Sequence, residues 1–350
     1  MSPFYSTLDP IYNTFQRTMI SIGITLNLIL IALIIFRSPK DLGLYKYLMV
    51  YISCFELFYA VMEFLVVPDI LTVDSSFFVI VDPKKSLLPR SWLRAADLLY
   101  CGSFAVSLVI FGCQFAYRYH VLKGNRSWTA STPLNLVFWL GTPLVLAGFY
   151  SYFVWVFMQR SEYTDQVLRE VGYTPEQIDS VGFLGLIFHP KLQNGTQIVN
   201  WDSFIGVSVT TGTLLASEFT MIYFAFKCFK ETKSFITRTG CSPKAKRLQW
   251  QFFYALVSQT IIPILFMQCP MTLIYSSTII FKRSIQEIGH FQALTIPIYL
   301  AIDALPTILI IRPYRDTVIR FVCFWRKPKV APRQTISSNS KPLHASLSNF

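Results

Sequence analysis

Five acidic residues lie inside apolar stretches that are long enough to cross a lipid bilayer. They are Glu56, Glu63, Asp97, Glu218 and Asp303. An ionisable group within a bilayer costs about 2.5–3.5 kcal/mol on membrane-insertion scales, so each acid needs a compensating interaction. Hydrogen bonding between helices, protonation and a functional role are the three explanations. For Glu56 and Glu218, which lie nearest mid-membrane, the structural and functional explanations fit equally well.

A further candidate is the sequence Tyr117-Arg118-Tyr119, which ends one of the apolar stretches. An arginine at the cytoplasmic end of a membrane helix usually extends its guanidinium group to the aqueous boundary. It can instead hold the inner ends of several helices together and later contact a partner. The spacing alone leaves both interpretations open.

The patterns typical of metalloenzymes are missing from the sequence. The seven cysteines include no C-x-x-C pair, and the four histidines include no H-E-x-x-H. Zinc sites and zinc proteases depend on such spacings. We therefore predict that the chain has no metal site and is not a metalloenzyme. We also expect no enzyme activity, no catalytic residues and no cofactor.

The composition indicates that lipid surrounds most of the chain. Of its 350 residues, 53% are hydrophobic and 14% are charged, whereas charged residues make up about 25% of a soluble domain. A helix needs about 20 apolar residues to cross the hydrocarbon core. The sequence contains seven such stretches, at 17–36, 46–68, 96–118, 133–158, 203–227, 249–276 and 289–312. We predict an all-α membrane protein, a seven-transmembrane helix bundle whose sixth helix is kinked by Pro263 and Pro270.

The distribution of basic residues predicts the orientation of this bundle. Of the 31 Lys and Arg residues, 21 fall in the connections near 37–46, 118–132 and 227–248 or in the tail from Arg312, and 10 fall on the other side. Basic residues accumulate on the cytoplasmic side. The amino terminus is therefore predicted to lie outside and the carboxyl tail inside. The net charge of +12 then belongs to a rim that faces anionic lipid, and no nucleic-acid partner is expected.

This orientation assigns a depth to three of the acids. Asp97 lies near the outer end of the third stretch, where we expect water to solvate it. Glu63 lies one turn from an outer end, where it can line a pocket. Asp303 lies in the inner half of the seventh stretch, and Pro306 cannot donate a backbone hydrogen bond to Ile302. We expect a break and a small polar site there, which favours a switching role for Asp303.

The segments outside the bundle carry their own signals. Thr174-Pro175-Glu176-Gln177 predicts a capped short helix through Val181, within 159–202, the one outer loop judged long enough to hold structure. Asn194 heads a glycosylation sequon on the outer side, whereas the sequon at Asn125 lies on the cytoplasmic side. Residues after Arg312 predict an amphipathic helix on the inner leaflet, in which Cys323 is a palmitoylation candidate. Residues 326–350 are predicted to be a disordered cytoplasmic tail, beyond a receptor domain at 1–325.

Several motifs resemble those of the nematode seven-transmembrane chemoreceptors, and most closely the Str class. They are Gly43-Leu44-Tyr45-Lys46-Tyr47-Leu48-Met49, Phe115-Ala116-Tyr117-Arg118-Tyr119, Leu248-Gln249-Trp250-Gln251-Phe252-Phe253-Tyr254-Ala255-Leu256, Gln259-Thr260-Ile261-Ile262-Pro263 through Pro270, and Arg312-Pro313-Tyr314-Arg315. The similarity covers about residues 10–325. One departure is at Asp303, since the family usually has Asp-Pro where Ala304 and Leu305 here precede Pro306.

The resemblance implies a G-protein-coupled receptor at the plasma membrane, usually of a sensory cilium, that detects a small, odorant-like molecule. The ligand would lie between the outer halves of the helices, and a heterotrimeric G protein would bind inside. Depth and polarity nominate Glu63, Phe104, Thr210, Gln268 and Tyr299 for the pocket. The switch and the G-protein surface would draw on Arg118, Tyr119, Lys244, Lys246, Arg247 and Asp303. The disulfide that ties span three to the second outer loop in many such receptors has no cysteine available between 159 and 201.

Two other functional classes have seven or more spans. A ligand-gated channel like the insect odorant receptors has a cytoplasmic amino terminus, which the basic residues disfavour. A transporter or membrane enzyme predicts inverted repeats or a paired catalytic set, and the sequence shows neither. The side of the membrane on which Asn194 and the tail lie discriminates these classes.

Overall fold

The structure is a computed structural model that describes residues 3–39, 45–130, 132–191, 196–238, 242–282 and 286–323. Within these ranges the side chains of residues 3–9, 238, 286 and 323 are not described.

Seven helices in the described ranges are long and apolar enough to cross a membrane, which confirms the predicted bundle. Numbered as spans in chain order, they are Pro3–Arg37, Tyr45–Val66, Leu93–Lys123, Pro133–Phe157, Trp201–Arg238, Pro243–Ile280 and Gln286–Ile310. Span three lies at the centre, with most of its residues buried. Short helices occupy Arg90–Trp92, Arg126–Thr129, Glu162–Glu170, Pro175–Ser180 and Arg312–Cys323.

Local sequence explains where several spans begin and end. Span four starts after Thr132, whose hydroxyl accepts a hydrogen bond from the backbone N–H of Asn135 at 3.3 Å. Span six starts after Ser242 in the same way, and in both helices a proline takes the first position. A capping hydroxyl followed by proline is a typical helix start. Span three ends at Gly124, whose φ of 73° suits a residue without a side chain.

Spans five and six extend well past their predicted ends. The sequence predicted a connection at 227–248, but span five continues as a helix to Arg238 and span six begins at Pro243. Lysines and arginines are good helix formers, and nothing requires a helix to stop at the membrane surface. The basic residues of this region therefore project from two helical extensions.

Spans six and seven are interrupted where prolines predict it. In span six an α-helix to Pro263 is followed by a π-helical segment, Ile264–Gln268, and then by an α-helix over Cys269–Ile280. Such π segments often occur at functional sites. Span seven consists of Gln286–Ile302 and Ala304–Ile310, with the interruption at Asp303. Asp303 keeps helical dihedral angles (φ −57°, ψ −39°), so the direction of the chain changes little there.

A three-stranded antiparallel sheet covers one end of the bundle, and the sequence analysis did not predict it. Its strands are β1 (Asp69–Val73), β2 (Ser76–Val81) and β3 (Gly182–Ile187), in the order β1-β2-β3. β1 pairs with β2 from Asp69 opposite Ile80, and β2 pairs with β3 from Ser76 opposite Ile187. The expectation that only 159–202 holds structure outside the bundle is therefore wrong. We call this end of the bundle the sheet end and the opposite end the tail end.

The sheet contacts the ends of several spans, including span five, where the N–H of Ile187 donates to the hydroxyl of Ser203 at 3.2 Å. A Cβ on Gly182 would lie 2.8 Å from the carbonyl carbon of Leu93 in span three, so the close approach of β3 requires glycine. The N–H of Gly185 donates to the carbonyl of Met158, after span four, at 3.1 Å. The hydroxyl of Ser75 donates to the carbonyl of Thr278 in span six at 2.9 Å. On span seven, a Cβ on Gly289 would lie 2.8 Å from the carbonyl oxygen of Ile70.

The predicted short helix is confirmed at Pro175–Ser180, with Thr174 and Gln177 exchanging the expected capping hydrogen bonds. A second helix, Glu162–Glu170, was not predicted. Arg160 joins the two, since its guanidinium group lies 2.8 Å from Asp165 and 2.7 Å from Asp179. These carboxylates raise the pKa of Arg160, so it is charged at every physiological pH. The two helices pack on the sheet through Leu168 and Ile178, which belong to the same apolar cluster as Phe78 and Ile80.

The predicted helix after the last span is confirmed at Arg312–Cys323. Tyr314 on its inner face is buried, and its hydroxyl is hydrogen-bonded to that of Ser38, beyond span one, at 2.7 Å. Burial raises the pKa of Tyr314 to about 12. Towards the end of this helix Ile319, Phe321 and Val322 are exposed, as expected of a helix that rests on lipid.

Candidate functional site

A cavity of about 300 Å³ lies between spans three, four, five and six, in the half of the bundle nearer the sheet end. Its walls include Phe104, Tyr150, Leu214, Met271 and Tyr275. Among the described residues that line it, none carries a formal charge. Sites for small organic molecules are typically apolar concavities of about 300–1,000 Å³ with a few polar groups. The cavity therefore suits a small neutral molecule.

Gln268 supplies the free polar group of this cavity. Its side chain is 7% exposed, and its Oε1 has no hydrogen-bond partner among the described residues. Thr210 instead already donates its hydroxyl to the carbonyl of Gly206 at 2.8 Å. A buried acceptor without a partner costs about 1–3 kcal/mol. This oxygen is shielded in the present conformation. A ligand that donates a hydrogen bond to it, once the amide rotates towards the cavity, would recover that free energy.

The structure places the five predicted pocket residues in three different surroundings. Phe104, Thr210 and Gln268 line the cavity together. Glu63 and Tyr299 are buried outside it, in two separate polar clusters. Depth in the membrane, which guided the choice, does not reveal which helix face meets the cavity.

The first polar cluster contains Glu63 near the sheet end. The ring centroids of Tyr59 and Tyr100 are 5.6 Å apart, and the hydroxyl of Tyr100 faces the carboxyl group of Glu63. Asp97 on span three is 0% exposed, and its two carboxylate oxygens have no hydrogen-bond partner among the described residues. The expectation that water solvates Asp97 is therefore wrong. The sheet packs against the start of span three at Leu93, one helical turn before Asp97.

The second polar cluster lies nearer the tail end, where spans two, three and seven meet. The hydroxyl of Tyr299 faces the carboxyl group of Glu56 and the hydroxyl of Ser107. All three side chains are buried. Glu218, the remaining acid, lies apart from both clusters on span five and is half-buried.

Asp303 joins this second cluster to span six. The amide nitrogen of Gln259 donates to the backbone carbonyl of Asp303 at 3.3 Å and reaches its carboxylate at 3.5 Å. The other carboxylate oxygen has no partner among the residues described. The polar site expected beside Asp303 is thus present. The expected acceptor was the carbonyl of Ile302, whereas the carbonyl that Gln259 binds belongs to Asp303 itself.

Arg118 lies at the tail end of span three and is 4% exposed. Its guanidinium group donates to the backbone carbonyl of Gln249 in span six at 2.7 Å. It also lies over the ring of Tyr45 in span two, 5.6 Å from the centroid. A buried guanidinium group held by two neighbouring helices does not extend to the aqueous boundary. Of the two interpretations left open by the sequence, the structure supports the one in which Arg118 joins helices.

The other residues predicted for a partner surface lie at the tail end. Tyr119 is half-buried against Phe224, with ring centroids 5.7 Å apart. At the start of span six, Lys244 and Arg247 are exposed and Lys246 is half-buried. They form a basic patch one to two turns before Gln249.

Three sequence predictions fall where the structure gives no test. Asn194 lies outside the described residues, as does the predicted disordered segment 326–350. Cys323 ends the last helix, but its side chain is not described. The five cysteines whose side chains are described are all free thiols. Within the described ranges, no three His, Cys, Asp or Glu side chains come together as a metal site would require.

Span six carries a glutamine at each of three successive positions along the bundle: the cavity, the contact with Asp303 and the contact with Arg118. Gln268 faces the cavity, Gln259 holds Asp303, and Gln249 holds Arg118. At 1.5 Å per residue the successive separations are roughly 14 Å and 15 Å along the helix. The π segment lies between the first two positions. A movement of this one helix would therefore affect all three contacts. The sequence analysis quoted Gln249 and Gln259 in motifs but did not identify their partners.

Comparison with known proteins supports a single family. The family model described as the serpentine type seven-transmembrane GPCR chemoreceptor Str matches residues 12–319. The chain is 32% identical to "G-protein coupled receptor str-217" of Caenorhabditis elegans, over 89% of each chain. It is 28% identical to "Serpentine receptor class r-10" of the same organism, over 91% of this chain and 94% of the relative.

A solved structure shows the same fold at much lower identity. Squid rhodopsin superimposes with a TM-score of 0.55, covering 91% of this chain and 87% of its own, at 8% sequence identity. At that identity the likeness concerns the arrangement of the helices alone.

Proposed function

The chain belongs to the Str family of serpentine seven-transmembrane chemoreceptors, and on that premise we propose that it is a G-protein-coupled chemosensory receptor. In this proposal a small neutral molecule binds in the cavity at the sheet end. A heterotrimeric G protein then binds at the tail end. The family is a receptor class and not an enzyme family. The observation that carries the proposal is the series of three glutamines on span six, which joins the two ends.

The proposed signal is a movement of span six. A ligand that donates to Gln268 acts on the last residue of the π segment. Helix movements in bundles change discrete contacts at their far ends. Here those contacts are Gln259 with Asp303 and Gln249 with Arg118. We infer that ligand binding breaks the Arg118–Gln249 hydrogen bond and frees the guanidinium group.

The G-protein surface in this proposal surrounds Arg118. Tyr119 lies beside it, and Lys244, Lys246 and Arg247 give the start of span six a positive charge. Positive patches favour fast association with acidic partner surfaces. Residues 1–325 form the receptor domain in this proposal, and residues 326–350 form its cytoplasmic tail.

A cavity-filling substitution tests where the ligand binds. In cells that express the chain with a G-protein activation sensor, a panel of small neutral organic molecules is screened for agonists. Thr210→Trp fills the cavity, so we expect the half-maximal agonist concentration to rise about tenfold or more, equivalent to about 1.4 kcal/mol. The matched control is Thr220→Trp. Thr220 is an exposed residue of the same span, and its hydroxyl makes the same kind of bond to its own helix, at 2.8 Å. It should leave the response within about twofold.

Two outcomes of this screen would contradict the proposal. An equal response from Thr210→Trp and the unsubstituted chain would place the ligand elsewhere. A ligand-evoked ion current that persists without any G protein would support a channel instead.

Glycosylation tests the proposed orientation, in which the sheet end faces the outside of a plasma membrane, that of a sensory cilium. We expect Asn194 to carry a glycan, because most basic residues lie at the opposite side. Glycosidase treatment should shift the electrophoretic mobility of the expressed chain and leave that of Asn194→Gln unchanged. A glycan on Asn125 would invert the bundle and favour a cytoplasmic amino terminus.

A further inference from the structure

The cavity reaches the surface of the bundle between spans five and six. Ser208 of span five and Thr272 and Ile280 of span six line it, and all three are exposed. Ser208 and Thr272 lie inside helices that are long and apolar enough to cross a membrane, where an exposed face is expected to meet lipid acyl chains. Ile280 ends span six at the sheet end. Thr211 and Ser276 lie behind them and are half-buried. A path between the two helices thus joins the lipid to the interior wall formed by Phe104 and Tyr150.

The sheet closes the other approach to the cavity. The ring of Phe77 in β2 packs against that of Tyr275, a cavity residue, with centroids 5.3 Å apart. One turn beyond Tyr275, the carbonyl of Thr278 accepts the hydrogen bond from Ser75. Every residue of β2 and β3 is buried. The described part of the sheet end therefore separates the cavity from the aqueous phase.

A third side chain strengthens this closure. Ser75 has a single hydroxyl proton, which it donates to Thr278. We therefore assign the donor of its second hydrogen bond, 2.8 Å long, to Nδ1 of His189. Burial and the nearby Lys282 lower the pKa of His189, so its ring is neutral at pH 7. The network joins the β1–β2 turn, the segment after β3 and span six.

We propose that the ligand enters the cavity from the outer leaflet of the bilayer, through the gap between spans five and six, and that it is a neutral, lipid-partitioning molecule that donates one hydrogen bond to Gln268. The inference rests on the proposed function for the identity of the cavity as the ligand site. Two features disfavour a charged molecule as the ligand. It costs several kcal/mol to bring into the bilayer, and the described lining offers no opposite charge.

Labelling of an introduced cysteine tests the route. Thr210→Cys places a thiol in the cavity of a chain whose native cysteines are replaced by serine or alanine, reconstituted in lipid nanodiscs. Two reagents are compared by mass spectrometry, neutral benzyl methanethiosulfonate and charged 2-(trimethylammonium)ethyl methanethiosulfonate. Each forms a mixed disulfide with the thiolate and releases methanesulfinate. For each reagent the labelling rate is divided by its rate with a free thiol in solution. We expect this corrected rate to be about a hundredfold or more higher for the neutral reagent than for the charged one.

Bulky substitutions then close the gap. Thr272→Trp should slow the neutral reagent by about tenfold or more, and Ser208→Trp should do the same from the opposite wall. Leu273→Trp is the matched control, because Leu273 is exposed on the same helix and does not line the cavity. It should change the rate by no more than about twofold. Equal rates in all three variants, or rapid labelling by the charged reagent, would overturn the lateral route.

Protection of the same thiol tests the ligand class. 1-Octanol serves as the neutral donor, and octyltrimethylammonium as the charged probe at the same mole fraction in the membrane. We expect octanol to slow labelling and the charged probe to leave it unchanged. Gln268→Leu should raise the octanol concentration needed for half protection by about tenfold. Equal protection by both probes, or no effect of Gln268→Leu, would overturn the assigned chemistry.

These measurements need neither an agonist nor a G protein. A chain that labels as expected but never activates a G protein would refute the proposed function alone. A chain that signals but is labelled through water would refute the lateral route alone.

Discussion

Replacing Arg118 with alanine is expected to abolish ligand-evoked G-protein activation while surface expression and ligand binding persist. The guanidinium group holds Gln249 at 2.7 Å, and in the proposed mechanism it is released when span six moves. Hydrogen bonds of charged groups contribute about 1.5–3 kcal/mol, which corresponds to a tenfold to hundredfold change in an equilibrium. Arg118 lies 14 residues from Phe104 in the cavity, or roughly 21 Å along span three. Ligand binding should therefore be little affected.

The measurement is agonist-stimulated nucleotide exchange on the G protein at matched surface expression, with ligand binding measured in parallel. Arg126→Ala is the control, because it removes an exposed positive charge just after the same span and leaves Gln249 and Tyr119 in place. Arg118→Lys should restore little, since an ammonium group lacks the planar, fork-shaped donor arrangement of arginine. Normal signalling by Arg118→Ala would reduce Arg118 to a structural contact between helices.

The second large effect is expected at Asp303. Asp303→Leu should remove most of the agonist response, whereas Asp303→Asn should keep much of it. An amide can still accept the contact from Gln259, which reaches the carboxylate at 3.5 Å. Leucine cannot accept a hydrogen bond from Gln259. Its side chain would also place an apolar group against the cluster of Glu56 and Tyr299. Loss of a buried polar partner costs about 1–3 kcal/mol, which corresponds to a shift of about fivefold to 150-fold.

Dose–response curves of G-protein activation at matched surface expression distinguish the explanations. Unchanged curves from both variants would make Asp303 a tolerated polar residue. Equal loss from both would mean that the charge itself is required. Gln259→Leu provides an independent check, because it removes the same contact from the other helix.

The sequence predicts the spans well because crossing a bilayer requires a long apolar helix, and such helices are visible in composition alone. It predicts the interruption at Asp303 and the helix at Pro175–Ser180 for equally local reasons. A proline removes one donor, and Thr174 with Gln177 forms a capping box.

The sheet was missed although its strands carry a signal. Ser76–Val81 and Gly182–Ile187 are short apolar runs rich in aromatic or branched residues, and both are too short to span a membrane. The sheet packs at Leu93, one helical turn before the buried Asp97, so both wrong expectations concern the same end of span three. Strand pairing across about 100 residues depends on tertiary contacts that a single sequence does not reveal.

The site was predicted only in part, because side-chain direction decides it. Glu63 and Tyr299 have the depth and polarity of pocket residues, yet they face other helices and not the cavity. Arg118 was recognised from its position, but its partner is a backbone carbonyl, and every residue carries one of those. Three glutamines on one helix are visible in the sequence, whereas the three different contacts they make are not.

The sheet also sets an order for the biogenesis of the protein. The β1–β2 hairpin is synthesised before spans three and four, and β3 follows them, so the hairpin must wait for its third strand. At about 5–20 residues per second, roughly 100 residues take on the order of 5–20 s. Until then the edge of β2 is an unpaired strand, which the proposed orientation places on the lumenal side, open to chaperones or to mispairing. Pairing of β2 with β3 requires no disulfide bond among the described cysteines, since all five of these thiols are free. Chaperones of the secretory pathway that bind unpaired strands would therefore release β2 only once β3 has paired with it. That pairing requires correct insertion of the first four spans.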